Sequence, residues 1–139
     1  MNGKIKGIVT ENEIMTELTR HGIDVSIPRG DNAPYDLVAD INGRLYKIQV
    51  KWPRFRCNGS FVINCTRNKR IKNNVLIHER YADTDVDYFA TRANGKCYLV
   101  PASEVVTDIC LRFVNDGRKG ANMAADYELE KVVGELMAT

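Results

Sequence analysis

Residues 10–21, TENEIMTELTRH, carry Ile14, Met15 and Leu18 as an apolar stripe at helical spacing, with Gly22 as a natural stop. Thr10 and Glu13 stand at capping-box spacing, so the pattern predicts a first helix opening at Thr10. Glu11 precedes the stripe by three, four and seven positions and therefore shares its face. Two readings of Glu11 stay open: a carboxylate leaning toward the core side, or an exposed first-turn acid that favours the helix dipole. After a short apolar segment, IDVSI, the chain breaks at PRGDNAP. Two alternating runs follow, YDLVADI and RLYKIQVKW, joined by Asn42-Gly43. That pattern predicts a hairpin with a tight two-residue turn. If Ile41 faces Arg44, counting back pairs Ala39 with Tyr46, Leu37 with Ile48 and Asp36 with Gln49. Lys51 then points to the side of Gln49. Leu37, Ile41, Ile48, Val50 and Trp52 supply the apolar face, with Tyr35 beside them.

Farther along, SFVINC reads as a strand and RNKRIKNN as a polar, basic loop. VDYFATR and KCYLVP read as two strands separated by Ala-Asn-Gly, and PASEVVTDI suits a helix beginning near Pro101. LRFV suits a short strand or edge segment, and residues 124–137 are helical in composition despite Gly134. No repeat or linker divides the chain, so residues 1–139 read as one mixed α/β domain.

Composition changes this picture in two places. Twenty Lys plus Arg against 18 Asp plus Glu give a net charge of only +2, yet half of the positive charge falls within residues 44–80 against the single acid Glu79. A run of that kind is a solvated basic face or a phosphate-binding one. No apolar stretch approaches the roughly 20 residues needed to cross a bilayer, and MNGKIKGIVTENE lacks the apolar centre of a secretion signal, so an intracellular, non-secreted protein is expected. Cys57, Cys65, Cys97 and Cys110 are spaced by 8, 32 and 13 residues, without the short pairs of a zinc site, and read as separate thiols. Neither Cys57 nor Cys65 has a convincing His partner for a cysteine-centred hydrolase.

The predicted hairpin gathers Asp36, Gln49 and Lys51 in one patch. Singly, each has an ordinary explanation: an Asp near a turn, a solvated strand Gln, and a Lys that blunts a sheet edge. Together they offer a carboxylate and an amide oxygen for a hard cation and an ammonium for developing charge, the groups that phosphodiester hydrolysis needs. Glu11 adds a second carboxylate, because Gln49 ligates through its oxygen without contributing charge.

These residues resemble the signature of the PD-(D/E)xK nuclease superfamily, most closely its small intron-associated homing endonuclease group, with core similarity to archaeal-type Holliday junction resolvases. The resembling segments are Lys6-Gly7-Ile8-Val9-Thr10-Glu11, Gly30-Asp31-Asn32-Ala33-Pro34-Tyr35-Asp36 and Ile48-Gln49-Val50-Lys51, with looser likeness through Val86–Ala90 and Cys97–Pro101. Gln49 replaces the usual acid, as in the intron-associated group, and Tyr35 interrupts the usual Pro-Asp pair. The resemblance implies a restriction-endonuclease-like fold with a central mixed sheet flanked by helices. It also implies Asp36 and Gln49 as ligands of Mg²⁺, with Mn²⁺ as a substitute, Glu11 as support of the metal shell, and Lys51 as the group assisting the attacking water.

The implied activity is a metal-dependent DNA endonuclease of homing or phage type acting on duplex DNA. A structure-selective nuclease for branched DNA is the near alternative, and a DNA-binding scaffold weakened by Gln49 is the distant one. Arg54, Arg56, Arg67, Lys69, Arg70 and Lys72 are the candidate phosphate contacts, while Asn64, Asn68, Asn73 and Asn74 either read base edges or satisfy turns. RNA would meet the same charge. A chain this small covers a long site by doubling, so a homodimer or higher homo-oligomer is expected. Leu111, Phe113, Val132, Val133, Leu136 and Met137 suit either that interface or the core.

Overall fold

Asn2 opens the first helix: its side-chain oxygen accepts from the Ile5 amide at 3.0 Å, and α1 runs Gly3–Arg20 in the computed structural model of the chain. It therefore begins seven residues before the expected Thr10 cap. Thr10 is instead mid-helix and buried, its hydroxyl donating to the Lys6 carbonyl at 2.8 Å. The extra turns escape the pattern because Gly3 and Gly7 have poor helix propensity and Ile5 and Ile8 are exposed. The helix ends at Gly22 as expected. Gly22 has a φ of +75°, its amide bonds the Thr19 carbonyl, the Ile23 amide bonds the Leu18 carbonyl, and Ile23 and Leu18 are buried in one cluster.

The remaining elements are β1 (Asp24–Ser26), β2 (Leu37–Ile41), β3 (Arg44–Val50), β4 (Arg54–Arg56), β5 (Ser60–Asn64), β6 (Thr66–Arg70), β7 (Leu76–Arg80), β8 (Tyr88–Ala93), β9 (Lys96–Pro101), β10 (Asp108–Arg112), β11 (Asn122–Met123) and α2 (Leu129–Met137). The structure describes residues 2–30, 32–70, 76–81, 85–115, 117–118 and 120–139, without the side chains of residues 68–70, 76–78 and 80.

The β2–β3 register is the one the alternation predicts, from Ile41 opposite Arg44 to Leu37 opposite Ile48. Its turn places both Asn42 (φ +57°) and Gly43 (φ +83°) in the left-handed region, as a two-residue hairpin requires. Beyond Leu37 the Asp36 amide still donates to the Ile48 carbonyl at 2.9 Å. β3 continues into a parallel pairing with β8, giving a mixed five-stranded sheet in the order β1-β2-β3-β8-β9. A second sheet, β11-β10-β5-β4, is also mixed, and β6 and β7 form a two-stranded antiparallel ribbon.

The central sheet is buried on both faces, and the strand period of two sorts its side chains. Leu37, Ala39, Tyr46, Ile48, Val50, Ala90 and Leu99 face α1 and α2, packing with Ile14, Leu18, Leu129 and Val133. Phe89, Tyr98 and Val100 point the other way, against Phe61, Ile63, Ile109 and Leu111 of the second sheet. The result is the mixed α/β, restriction-endonuclease-like architecture that the resemblance implies.

Several local expectations change. RNKRIKNN is not simply a loop, because residues 67–70 belong to β6. Pro101 is followed by a single 3-10 turn, Ala102–Glu104, and then β10, so PASEVVTDI forms no α-helix. Val105 and Val106 are β-branched and the segment is too short for an amphipathic stripe. Trp52 is 47% exposed, outside the core, because β3 ends at Val50 before Pro53; the Lys6 ammonium lies 5.1 Å from its ring centre. Tyr35 lies under the Lys47 ammonium. Leu111, Val132 and Val133 are core residues and Phe113 and Leu136 pack against the core, while Met137 is exposed. Among the described residues no helix is long and apolar enough to cross a membrane.

Candidate active site

Gln49 lies on the face of β3 opposite Ile48 and Val50, as alternation dictates, with Asp36 just before β2 and Lys51 just after β3. Asp36 sits at the mouth of the hairpin, where its Oδ2 accepts from the Val50 amide at 2.8 Å. The carboxylate thereby ends the β2–β3 ladder and is itself held in place. Its pKa is raised above 3.8: burial dominates, opposed by that backbone hydrogen bond and by the nearby Lys51 charge. Glu11, half-buried on α1, is raised above 4.5 by burial and then by the charge of Asp36. The Glu11 face seen in the sequence thus leads to the patch, and the core-side reading is the one realised.

Lys51 donates its Nζ to the Thr66 carbonyl of β6 at 2.9 Å, while its backbone amide bonds the Ala90 carbonyl of β8 at 2.8 Å. Burial lowers the ammonium pKa, and the electrostatic influence of Cys65 and then of Asp36 opposes it. The Cys65 thiol is pushed up to about 12 by burial, with Lys51 acting in the opposite sense, so it stays protonated and is no nucleophile. All four cysteines are free. Gln49 is half-buried, with Nε2 at the long distance of 3.5 Å from the Val50 carbonyl, and its Oε1 is the atom that could serve as an oxygen ligand.

Sequence reasoning missed Tyr81. Its ring packs edge-on against Phe89, 5.4 Å between centres, and Phe89 stands opposite Gln49 in the β3–β8 pairing. The Lys51 ammonium lies 5.2 Å from the ring centre and the Arg67 guanidinium 5.9 Å. Burial raises the phenol to about 12, reinforced by the Asp36 charge and opposed by Arg67. No local motif marks a tyrosine that arrives from the end of β7.

The donor chemistry fits a hard cation. Two carboxylates stand close enough for one to raise the other's pKa, burial disfavours the charge on both, and an amide oxygen completes an all-oxygen set suited to Mg²⁺ or Mn²⁺. Among the described residues no group of three or more His, Cys, Asp and Glu gathers to hold a metal, so at this site the two carboxylates are joined only by the amide of Gln49.

The basic residues divide. Arg54 and Arg56 are exposed on β4, at the edge of the second sheet and directly after the Lys51 segment. Arg67 is half-buried beside Tyr81. Lys69 and Arg70, with Asn68, fall on the described backbone of β6, but their side chains lie outside the described set; Lys72, Asn73 and Asn74 lie outside the described residues altogether. Asn64 satisfies a turn, its Oδ1 accepting from the Thr66 amide and hydroxyl at 2.9 and 2.6 Å.

No curated protein sequence matches the chain. Among solved structures, the bacterial homing endonuclease I-Ssp6803I superposes with a TM-score of 0.76 at 23% identity, covering 100% of this chain and 99% of that one. The fold is therefore shared end to end. The family model for PD-(D/E)XK endonucleases matches residues 1–130, and the chain belongs to that family.

Proposed function

We propose that the chain is a divalent-cation-dependent endonuclease that hydrolyses phosphodiester bonds in duplex DNA, leaving 5′-phosphate and 3′-hydroxyl ends. The observation that carries this reading is the convergence of Asp36, Glu11, Gln49 and Lys51 on one patch, with mutually perturbed charges. Asp36, Glu11 and Gln49 would hold Mg²⁺, which when bound supplies Lewis-acid stabilisation of the phosphoryl oxygens. Lys51 donates one proton to the Thr66 carbonyl and has two left to orient the attacking water and to meet developing negative charge. Arg54, Arg56 and Arg67, with Lys69, Arg70 and Lys72 on the same stretch of chain, neutralise phosphates flanking the scissile bond. The structural neighbour is a homing endonuclease, which makes homing-type action on duplex DNA the first substrate class to test. Cutting both strands calls for two such sites, supplied by a homodimer or higher homo-oligomer.

The test is cleavage of plasmid, linear duplex and four-way-junction DNA in Mg²⁺ and in EDTA by the parent protein and Asp36→Asn, a variant that keeps an acceptor for the Val50 amide. Metal-dependent cutting that Asp36→Asn abolishes, with DNA binding retained, is the expected result. Preference for the junction would move the substrate class to branched DNA. Full activity in Asp36→Asn would remove Asp36 from the mechanism. Absence of cutting together with absence of Mg²⁺ or Mn²⁺ binding in the presence of DNA would leave a DNA-binding scaffold.

A further inference from the structure

A lysine side chain has four rotatable bonds and loses rotamer freedom when its ammonium is fixed. One hydrogen bond to the Thr66 carbonyl defines a distance but leaves the ammonium free to pivot. Tyr81 supplies a second constraint, since its π face attracts the same ammonium from 5.2 Å. The ring cannot easily turn away, because Phe89 meets it at 67° and 5.4 Å. Arg67, 5.9 Å from the ring centre, is also drawn to it, so one phenol holds two cations that would otherwise repel each other.

We propose that Tyr81 is a positioning residue: its ring face holds the Lys51 ammonium in the candidate active site and ties it to Arg67, a phosphate contact on β6. The proposal rests on the nuclease reading for its catalytic consequence, but not for its geometry. Phosphate binding by Arg67 and water orientation by Lys51 then share one rigid support, and DNA that seats correctly on β6 meets a lysine already in place.

The experiment compares Tyr81→Phe, which keeps the ring, with Tyr81→Leu, which keeps apolar volume against Phe89 but removes the π face. On a DNA substrate that the parent cuts in Mg²⁺, Tyr81→Leu should lose between about ten- and a hundredfold in kcat with KM changed less than about twofold, whereas Tyr81→Phe should restore kcat to within about threefold of the parent. Parent-like kcat in Tyr81→Leu, or equal losses in both variants, overturns the proposal.

A second measurement needs no cleavage. In protein carrying ¹³C-labelled lysine, the ε-CH₂ resonance of Lys51, assigned with Lys51→Arg, should be shifted upfield by the ring current in the parent and in Tyr81→Phe, and should return toward the free-lysine position in Tyr81→Leu. An unshifted Lys51 resonance in the parent overturns the proposal by itself. A parent that shows the shift but cuts no DNA would instead count against the nuclease reading.

Discussion

Glu11 and Asp36 are carboxylates whose charged forms the fold disfavours, by burial and, for Glu11, by the neighbouring negative charge. A carboxyl whose pKa is higher folded than unfolded holds its proton longer in the native state, so its contribution to stability falls as pH rises through that interval. Glu11→Gln removes this loss. In metal-free protein it should raise Tm by about 2 °C at neutral pH, the gain vanishing below pH 4.5, where the parent residue is protonated in both states. Calorimetry across that range checks the sign: a gain confined to low pH would contradict it. Added Mg²⁺ should stabilise the parent more than Glu11→Gln, since a ligand that binds only the native state raises Tm further the tighter it binds.

At the scale of the element, the β2–β3 hairpin carries most of the site. Gly43 has a φ of +83° and open space around an added Cβ, so Gly43→Ala meets no clash and incurs only the left-handed backbone penalty, about 1 kcal/mol by denaturant unfolding. Ile48, fully buried beneath Gln49, is a different case: Ile48→Ala should cost about 2–5 kcal/mol through the cavity it leaves.

This hairpin was legible because one turn signal and strict alternation specify both register and face. Asp36, Gln49 and Lys51 followed from it. The start of α1 was not legible, since its two glycines and exposed isoleucines conceal the helical period. Nor was the β6–β7 ribbon, because a strand whose sequence is RNKR shows no apolar alternation and owes its form to pairing with β7. Tyr81 depends on that ribbon and was hidden with it.

Across the whole molecule, Arg54 and Arg56 lie on an edge strand of the second sheet and Arg67 on the β6–β7 ribbon, two separate elements. Phosphate binding spread over such elements should show in the salt dependence of affinity. Replacing Arg54, Arg56 and Arg67 together by Gln should flatten the slope of log K against log salt by up to about 2.7, nearly one unit for each phosphate no longer neutralised. An unchanged slope would take these three arginines off the DNA surface. α1 and α2 bury one face of the central sheet, the second sheet buries the other, and the candidate site lies where the hairpin ends.

The hydrogen bond from the Val50 amide to Asp36 has a consequence for how relatives of this chain should be judged. Asp36 closes a strand end whatever its part in the proposed chemistry, so a descendant that had stopped cutting DNA would still be under structural pressure to keep it. Among the described residues the Lys51 side chain makes one hydrogen bond, to the Thr66 carbonyl, besides its contact with the Tyr81 ring, and neither closes a strand end as Asp36 does. Survival of the aspartate is therefore weak testimony to a living enzyme, whereas survival of the lysine is strong.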